Sequence, residues 1–198
     1  LIGPSAGYSL GWESLSGFTN IVAVDPDPLA RRLLRLRFSN WPLSFVTKDY
    51  FTKGKRELWV DGLFYLREDF PEAAFLFCNV LGQVPLLVQD FPRAKTAWVK
   101  TLKTFCEHSE WASYHDLWSA PALGDEAVWK PPVLSGQDRI HQSAAKFLRH
   151  LAQAEIRDHE TQEMFGADLD RVLWTWQRTA HELHCIEGVR PSKQVVGA

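Results

Sequence analysis

The first 25 residues constrain this chain more than any other stretch. Leu1 and Ile2 run straight into Gly3-Pro4-Ser5-Ala6-Gly7-Tyr8-Ser9-Leu10-Gly11; Trp12 to Asn20 is compatible with a short helix, and Ile21-Val22-Ala23-Val24 is a compact apolar strand closed by Asp25. The order is strand, turn, helix, strand. In an open parallel sheet such a turn leaves backbone N–H groups uncovered at a helix N-terminus, so a ligand can approach the main chain closely. Asp25 follows Gly3 by 22 positions, close to the roughly 20-residue separation of ribose-binding acids in nucleotide folds. Two residues are short for a strand, which commonly runs about five or six. Upstream residues are therefore expected to be absent from this sequence.

Length and charge narrow the rest. With 198 residues, 45% of them hydrophobic, the chain can bury a full core, and 1–198 is expected to be a single domain. The net charge of −2, from 22 basic and 24 acidic residues, gives no electrostatic bias toward nucleic acid or an anionic membrane. No apolar run approaches the roughly 20 residues of a membrane span, and no signal-peptide layout opens the chain. A cytoplasmic protein is expected. Cys78, Cys106 and Cys185 are too few and too scattered for a disulfide framework or a metal site, so buried thiols are expected. Nine tryptophans suit cores or pocket walls, where the indole N–H finds a partner; Trp12, Trp111, Trp118 and Trp129 are candidates for either use.

Further along, Pro26-Asp27-Pro28 starts a helix carrying Leu29, Leu33, Leu34 and Leu36, with Arg31, Arg32, Arg35 and Arg37 reading as its solvated face. Leu43 to Val46 is a third strand, Lys53 to Arg56 a basic turn, and Asp61 to Phe70 a short helix. Ala73 to Cys78 is a continuous apolar run, as in a strand buried on both faces. Asp90 to His108 has helical spacing, with Ala94, Ala97, Trp98, Leu102 and Phe105 on one face. Trp111 to Tyr114 reads as a fifth strand delivering His115 and Asp116 to the carboxyl edge that holds Asp25, Asp49 and Asn79, where open α/β sheets bind ligands. Residues 119–138, rich in proline and glycine, are expected to be a loop over the site. His141 to Glu155 reads as a helix, Arg171 to Arg178 and Glu182 to Val189 as an antiparallel hairpin, and 192–198 as a loose tail. An i, i+3 pair on a strand points to opposite faces, so His181 and His184 are not expected to share a metal.

The opening stretch resembles the first motif of class I S-adenosylmethionine-dependent methyltransferases, carried here by Gly3, Gly7 and Asp25. The motif is degenerate: an acid usually stands two positions before the first glycine and a glycine two after it, where this chain has Leu1 and Ser5. Asn79-Val80-Leu81-Gly82-Gln83 is similar to the fourth motif, which borders the transferable methyl group. The resemblance implies an α/β fold with a doubly wound, mostly parallel sheet, helices on both faces and a C-terminal antiparallel hairpin. It further implies S-adenosylmethionine as cofactor, S-adenosylhomocysteine as product, and a small or medium-sized molecule as acceptor. Gly3, Pro4, Ser5, Gly7, Asp25, Asp49, Tyr50, Asn79, Val80 and Leu81 would line the cofactor site, Asp25 taking the ribose, Asp49 the adenine amino group and Tyr50 or Phe51 the ring.

Methyl transfer from a sulfonium is an in-line displacement that needs alignment at about 3–3.5 Å and no metal or nucleophilic side chain. A hydroxyl or amine acceptor gains from a base near the methyl. His115 is the candidate, with Tyr114 or Asp116 orienting it; its plain alternative is a satisfied polar residue beside a strand end. Asp25 could likewise serve only to cap the helix after it. Two other functions fit the same opening: a non-catalytic nucleotide-binding or interaction domain, favoured by Leu1 and Ser5, and an NAD(P)-dependent oxidoreductase. The second lacks support from a Tyr-x-x-x-Lys motif, which the sequence does not contain.

Overall fold

The computed structural model describes residues 1–53, 57–121, 156–161, 164–165, 169–179 and 181–192. The turn at 54–56, the segment 122–155, with Trp129 and the expected helix from His141 to Glu155, and the tail 193–198 lie outside the described residues.

Ile2 is the seam of a mixed sheet. It bridges in parallel both to Val24, at the end of β1 (Ile21–Val24), and to Phe77 of β5 (Phe75–Cys78). Beyond β1, strand β2 (Leu43–Val46) pairs with it in parallel. Beyond β5 lie β6 (Trp111–Pro121), parallel to β5, then β9 (Glu182–Pro191) and β8 (Leu169–Thr179). The order is β2, β1, Ile2, β5, β6, β9, β8. Strand β9 is antiparallel to both its neighbours, so β8 runs the same way as β6. The two-residue β7 (Arg157–Asp158) pairs with β6 beyond the end of β5, and β3 (Thr52–Lys53) with β4 (Glu57–Leu58) make a small ribbon apart. The expected C-terminal hairpin is present as β8 and β9. The mostly parallel sheet is not: its longest strands, β6, β8 and β9, form an antiparallel group.

Period-two alternation splits the apolar residues of β1 and β5 between two cores. Val24, Phe75 and Phe77 face α3 (Gly62–Asp69), α4 (Val80–Leu87) and α5 (Phe91–Glu107), packing with Leu63, Leu66, Leu81, Trp98, Leu102 and Phe105. Ile21, Ala23 and Cys78 face the other way, with Leu15 of α1 (Trp12–Leu15) and Leu34 of α2 (Pro28–Arg37). Local chemistry starts α2: Asp27 caps it by accepting from the Leu29 N–H at 2.8 Å, and Pro28 occupies its first turn.

One expectation shifts. Residues 119–121 continue β6 instead of opening a loop, because β9 pairs with them through Leu183 and Glu182. Val80–Leu87 is helical despite Gly82 and Pro85. Trp111 and Trp118 are buried in cores, and so are Cys78 and Cys185, burial pushing their thiols up to about 11 and about 12. Cys106 is only half-buried.

Candidate functional site

A cleft of about 1050 Å³ opens along the carboxyl edge of the parallel strands. Its floor at one end is the turn after Ile2. Gly3 takes a left-handed conformation, φ +61°, and a Cβ there would lie 2.1 Å from Val80 Cγ2. Only glycine fits, and the bare main chain faces the cleft. Ser5 also has positive φ, 51°. The position where the methyltransferase motif usually has glycine thus keeps a glycine-like backbone while carrying a serine. Such a conformation costs a residue with a Cβ roughly 1–2 kcal/mol, offset by the hydrogen bond from the Ser5 N–H to Asp25 Oδ2 at 3.0 Å. Asp25 Oδ1 accepts from the Asp27 N–H at 2.9 Å. The buried Asp25 carboxylate therefore clasps the turn and holds Asp27, the N-cap residue of α2.

The other residues singled out in the sequence divide. Pro4, Asp49, Tyr50, Asn79, Val80 and Tyr114 line the cleft with Gly3, Ser5 and Asp25. The Asp49 carboxylate is engaged locally, accepting from the N–H groups of Phe51 at 2.9 Å and Thr52 at 3.0 Å and from the Thr52 hydroxyl. The Tyr50 hydroxyl donates to Asp69, and Lys48 Nζ sits 4.6 Å above the Tyr50 ring. Tyr114 bonds Ser9 at 2.7 Å, and burial, aided by Cys78, raises its phenol further above its ordinary value. It stays protonated at neutral pH and does not suit a base. Gly7 and Leu81 do not line the cleft: Gly7 (φ +72°) packs under Leu34 and Phe38, and Leu81 is core.

His115 does not reach the cleft. Neighbours on a strand alternate faces, so Tyr114 and Asp116 line it while His115 is fully buried on the opposite side. There its Nδ1 lies 3.2 Å from Ser113 Oγ and its Nε2 3.2 Å from Glu187, which also takes Arg171 at 2.7 Å. Phe165 stacks on the ring at 5.2 Å. Burial alone would raise the Glu187 carboxyl, but His115 and Arg171 hold it below its ordinary value. Serine, histidine and acid stand in hydrolase order, yet all three are buried and none lines the cleft.

Asp116 orients a different histidine. Its carboxylate accepts from Asn79 Nδ2 at 2.8 Å and Gln83 Nε2 at 3.3 Å, and faces His184 Nδ1 at 3.1 Å. Asn79, at φ 57°, returns the contact by accepting the Asp116 N–H at 2.9 Å. Burial alone would raise the Asp116 carboxyl, but the bonds from His184 and Asn79 hold it below the ordinary carboxylate value. An ionised carboxylate only accepts, so His184 Nδ1 carries the proton and Nε2 is the nitrogen that titrates. Burial alone would lower the His184 pKa; Asp116 and then Glu182, 3.3 Å from Nε2, raise it above the ordinary value. Trp176 tilts over the His184 ring at 5.7 Å, and Trp174, two residues along β8, lines the same wall. Spacing from His181 directed attention to a metal pair and away from this arrangement. The hairpin register, Trp176 opposite His184 and Trp174 opposite Ile186, is what exposes it.

Among the described residues, no group of three or more His, Cys, Asp or Glu is arranged to hold a metal ion, and no helix is long and apolar enough to cross a membrane. No family model and no curated protein matches the chain. One solved structure is similar, described as a SAM-dependent methyltransferase from Anabaena variabilis ATCC 29413: TM-score 0.47, 10% identity, with 96% of this chain aligned to 75% of that one.

Two outcomes follow from the geometry. Ser5→Gly relieves the left-handed serine and is expected to raise stability by about 1 kcal/mol, read as a higher urea midpoint with unchanged slope. An unchanged or lower midpoint contradicts the strain. Asp116→Asn breaks a buried pair and is expected to cost about 3–5 kcal/mol where both partners are charged. The raised His184 pKa stabilises fully below about pH 6.5 and is lost as pH rises through the folded value. The lowered Asp116 pKa stabilises above about pH 4 and is lost as pH falls through its folded value. The difference between wild type and Asp116→Asn should therefore peak between about pH 4 and 6.5 in urea titrations. A difference flat from pH 4 to 9 would contradict the pairing.

Proposed function

We propose that the chain is an S-adenosylmethionine-dependent methyltransferase, with the adenosyl sulfonium bound between the Gly3 turn, Asp25 and Asn79. The observation that carries this reading is the sheet: Ile2 lies between β1 and β5, and a reversed β9 is inserted beside β6. A reversed strand inserted in an otherwise parallel order is the feature expected of class I methyltransferases and not of the nicotinamide-binding folds, whose sheets are mostly parallel. The cleft at the carboxyl edge supports it, since open α/β sheets bind ligands there. Each Asp25 oxygen accepts one backbone N–H and keeps a lone pair for a ribose hydroxyl. Asp49 has less to offer adenine, because three local donors already occupy it.

Calorimetric titration with S-adenosylmethionine, S-adenosylhomocysteine, NAD and NADP tests this. Saturable binding of the sulfonium and its product is expected. Asp25→Asn keeps one of the two acceptor oxygens that hold Ser5 and Asp27 and should weaken that binding about tenfold or more, the effect of removing hydrogen bonds to a charged group. Preference for NAD or NADP would move the reading to an oxidoreductase, and binding of none of the four would leave an interaction domain.

A further inference from the structure

Helix α2 carries a second apolar face that its packing on the core does not use. Ala30 and Leu34 are its buried residues. Leu29, Leu33 and Leu36, spaced i, i+4 and i+7 and so aligned on one side of a helix, are instead 61%, 38% and 68% exposed. Single exposed leucines are ordinary, but a row of them on one face marks an interaction surface. Arginines flank the row. At about 100° per residue, Arg32 and Arg35 fall on one side of it and Arg37 on the other. Arg35 lies over the Phe45 ring at 4.8 Å and Arg37 over the Tyr8 ring at 4.7 Å, while Arg31 is turned inward and donates to the Asp25 carbonyl at 2.7 Å. The helix contains no acid. Among the described residues, no carboxylate pairs with Arg32, Arg35 or Arg37.

We propose that this face of α2 docks on an anionic lipid bilayer, the three leucines entering the boundary between headgroups and acyl chains and Arg32, Arg35 and Arg37 meeting the lipid phosphates. Charge complementarity selects this occupant. An apolar ridge bordered by unpaired basic side chains is the pattern of helices that lie in a membrane interface, and a guanidinium fork matches phosphate oxygens two at a time. A second copy of the chain fits poorly: laying the ridge on itself sets arginine against arginine, with no acid in either α2 to answer them. A ten-residue helix, about 15 Å long, is also well short of the roughly 800 Å² per partner of a stable interface. Nucleic acid would meet the arginines but leave the leucines against phosphates. The net charge of −2 is a sum over the whole chain and hides this local surplus of four arginines. Tyr8, beneath Arg37, is also a cleft-lining residue, so the docked face adjoins the rim of the cleft. The inference stands apart from the methyltransferase reading.

Co-sedimentation with sucrose-loaded vesicles tests this. At about 0.1 M salt the chain is expected to bind phosphatidylcholine vesicles containing about 30% phosphatidylglycerol at least about tenfold more tightly than vesicles of phosphatidylcholine alone, and to lose most of that preference at about 0.5 M salt. The double variant Leu29→Gln, Leu36→Gln should weaken binding about tenfold or more, and Arg32→Gln about fivefold. Phe64→Ser serves as the control: Phe64 is 59% exposed but stands on α3, which packs on the opposite face of the sheet, and its replacement should leave binding unchanged. Urea midpoints establish that each variant folds; should the leucine variant not fold, Arg32→Gln decides, and unchanged binding by it refutes the docking face. No binding to the mixed vesicles, equal binding to both lipids, or an equal loss with Phe64→Ser overturns the proposal. A dimer in sedimentation velocity that the leucine variant dissociates overturns it in favour of a second copy.

Discussion

Four backbone hydrogen bonds made by Leu1, Ile2 and Gly3 join the two halves of this sheet. Ile2 N–H donates to Leu76 and Gly3 N–H to Val24, while Val24 N–H donates to Leu1 and Cys78 N–H to Ile2, all at 2.8–2.9 Å. Each is worth only about 0.5–1.5 kcal/mol net, but together they fix where the glycine turn leaves the sheet. They set Gly3 against Val80 and bring Ser5 within reach of Asp25. The Gly3 turn and the Ser5–Asp25 contact take their positions from that seam.

The other half of the sheet does different work. Asp116 lies where parallel β6 meets reversed β9, and its carboxylate gathers Asn79 and Gln83 from the start of α4 and His184 from β9. Its backbone carbonyl accepts from Thr161 at 3.1 Å. One buried acid thus links the residue that borders the proposed cofactor to the histidine of the aromatic wall. Burying an ionised carboxylate is costly unless its oxygens are satisfied, and here three side chains satisfy them. The opposite face answers a similar cost with Arg171 and His115 around Glu187.

What the sequence made legible was local. The Pro28 start of α2, the apolar run of β5, the Trp98, Leu102 and Phe105 stripe of α5, though not the exposed Ala97, and the C-terminal hairpin rest on capping, periodicity and β-propensity, and these are properties of neighbouring residues. Strand length and facing are set by partners. His-Asp-Leu-Trp-Ser-Ala-Pro after Tyr114 reads as a strand end leading to a loop, yet β9 extends the pairing to Pro121. The same pairing decides that Asp116, and not His115, faces the cleft. The surroundings of His184 are not legible in sequence, because its relation to Trp176 and Asp116 is a matter of register across 8 and 68 positions of chain, the latter spanned by one hydrogen bond. Ser5 shows the converse: a residue that departs from the motif while its backbone keeps the conformation the motif requires.

The proposed reading has one cleft hold an adenosyl sulfonium at the Gly3 turn. A crystal structure of the chain with S-adenosylhomocysteine tests this most directly. The ribose hydroxyls are expected on Asp25 and the thioether sulfur beside Asn79. A ligand seated elsewhere, or bound with its ribose away from Asp25, would contradict it.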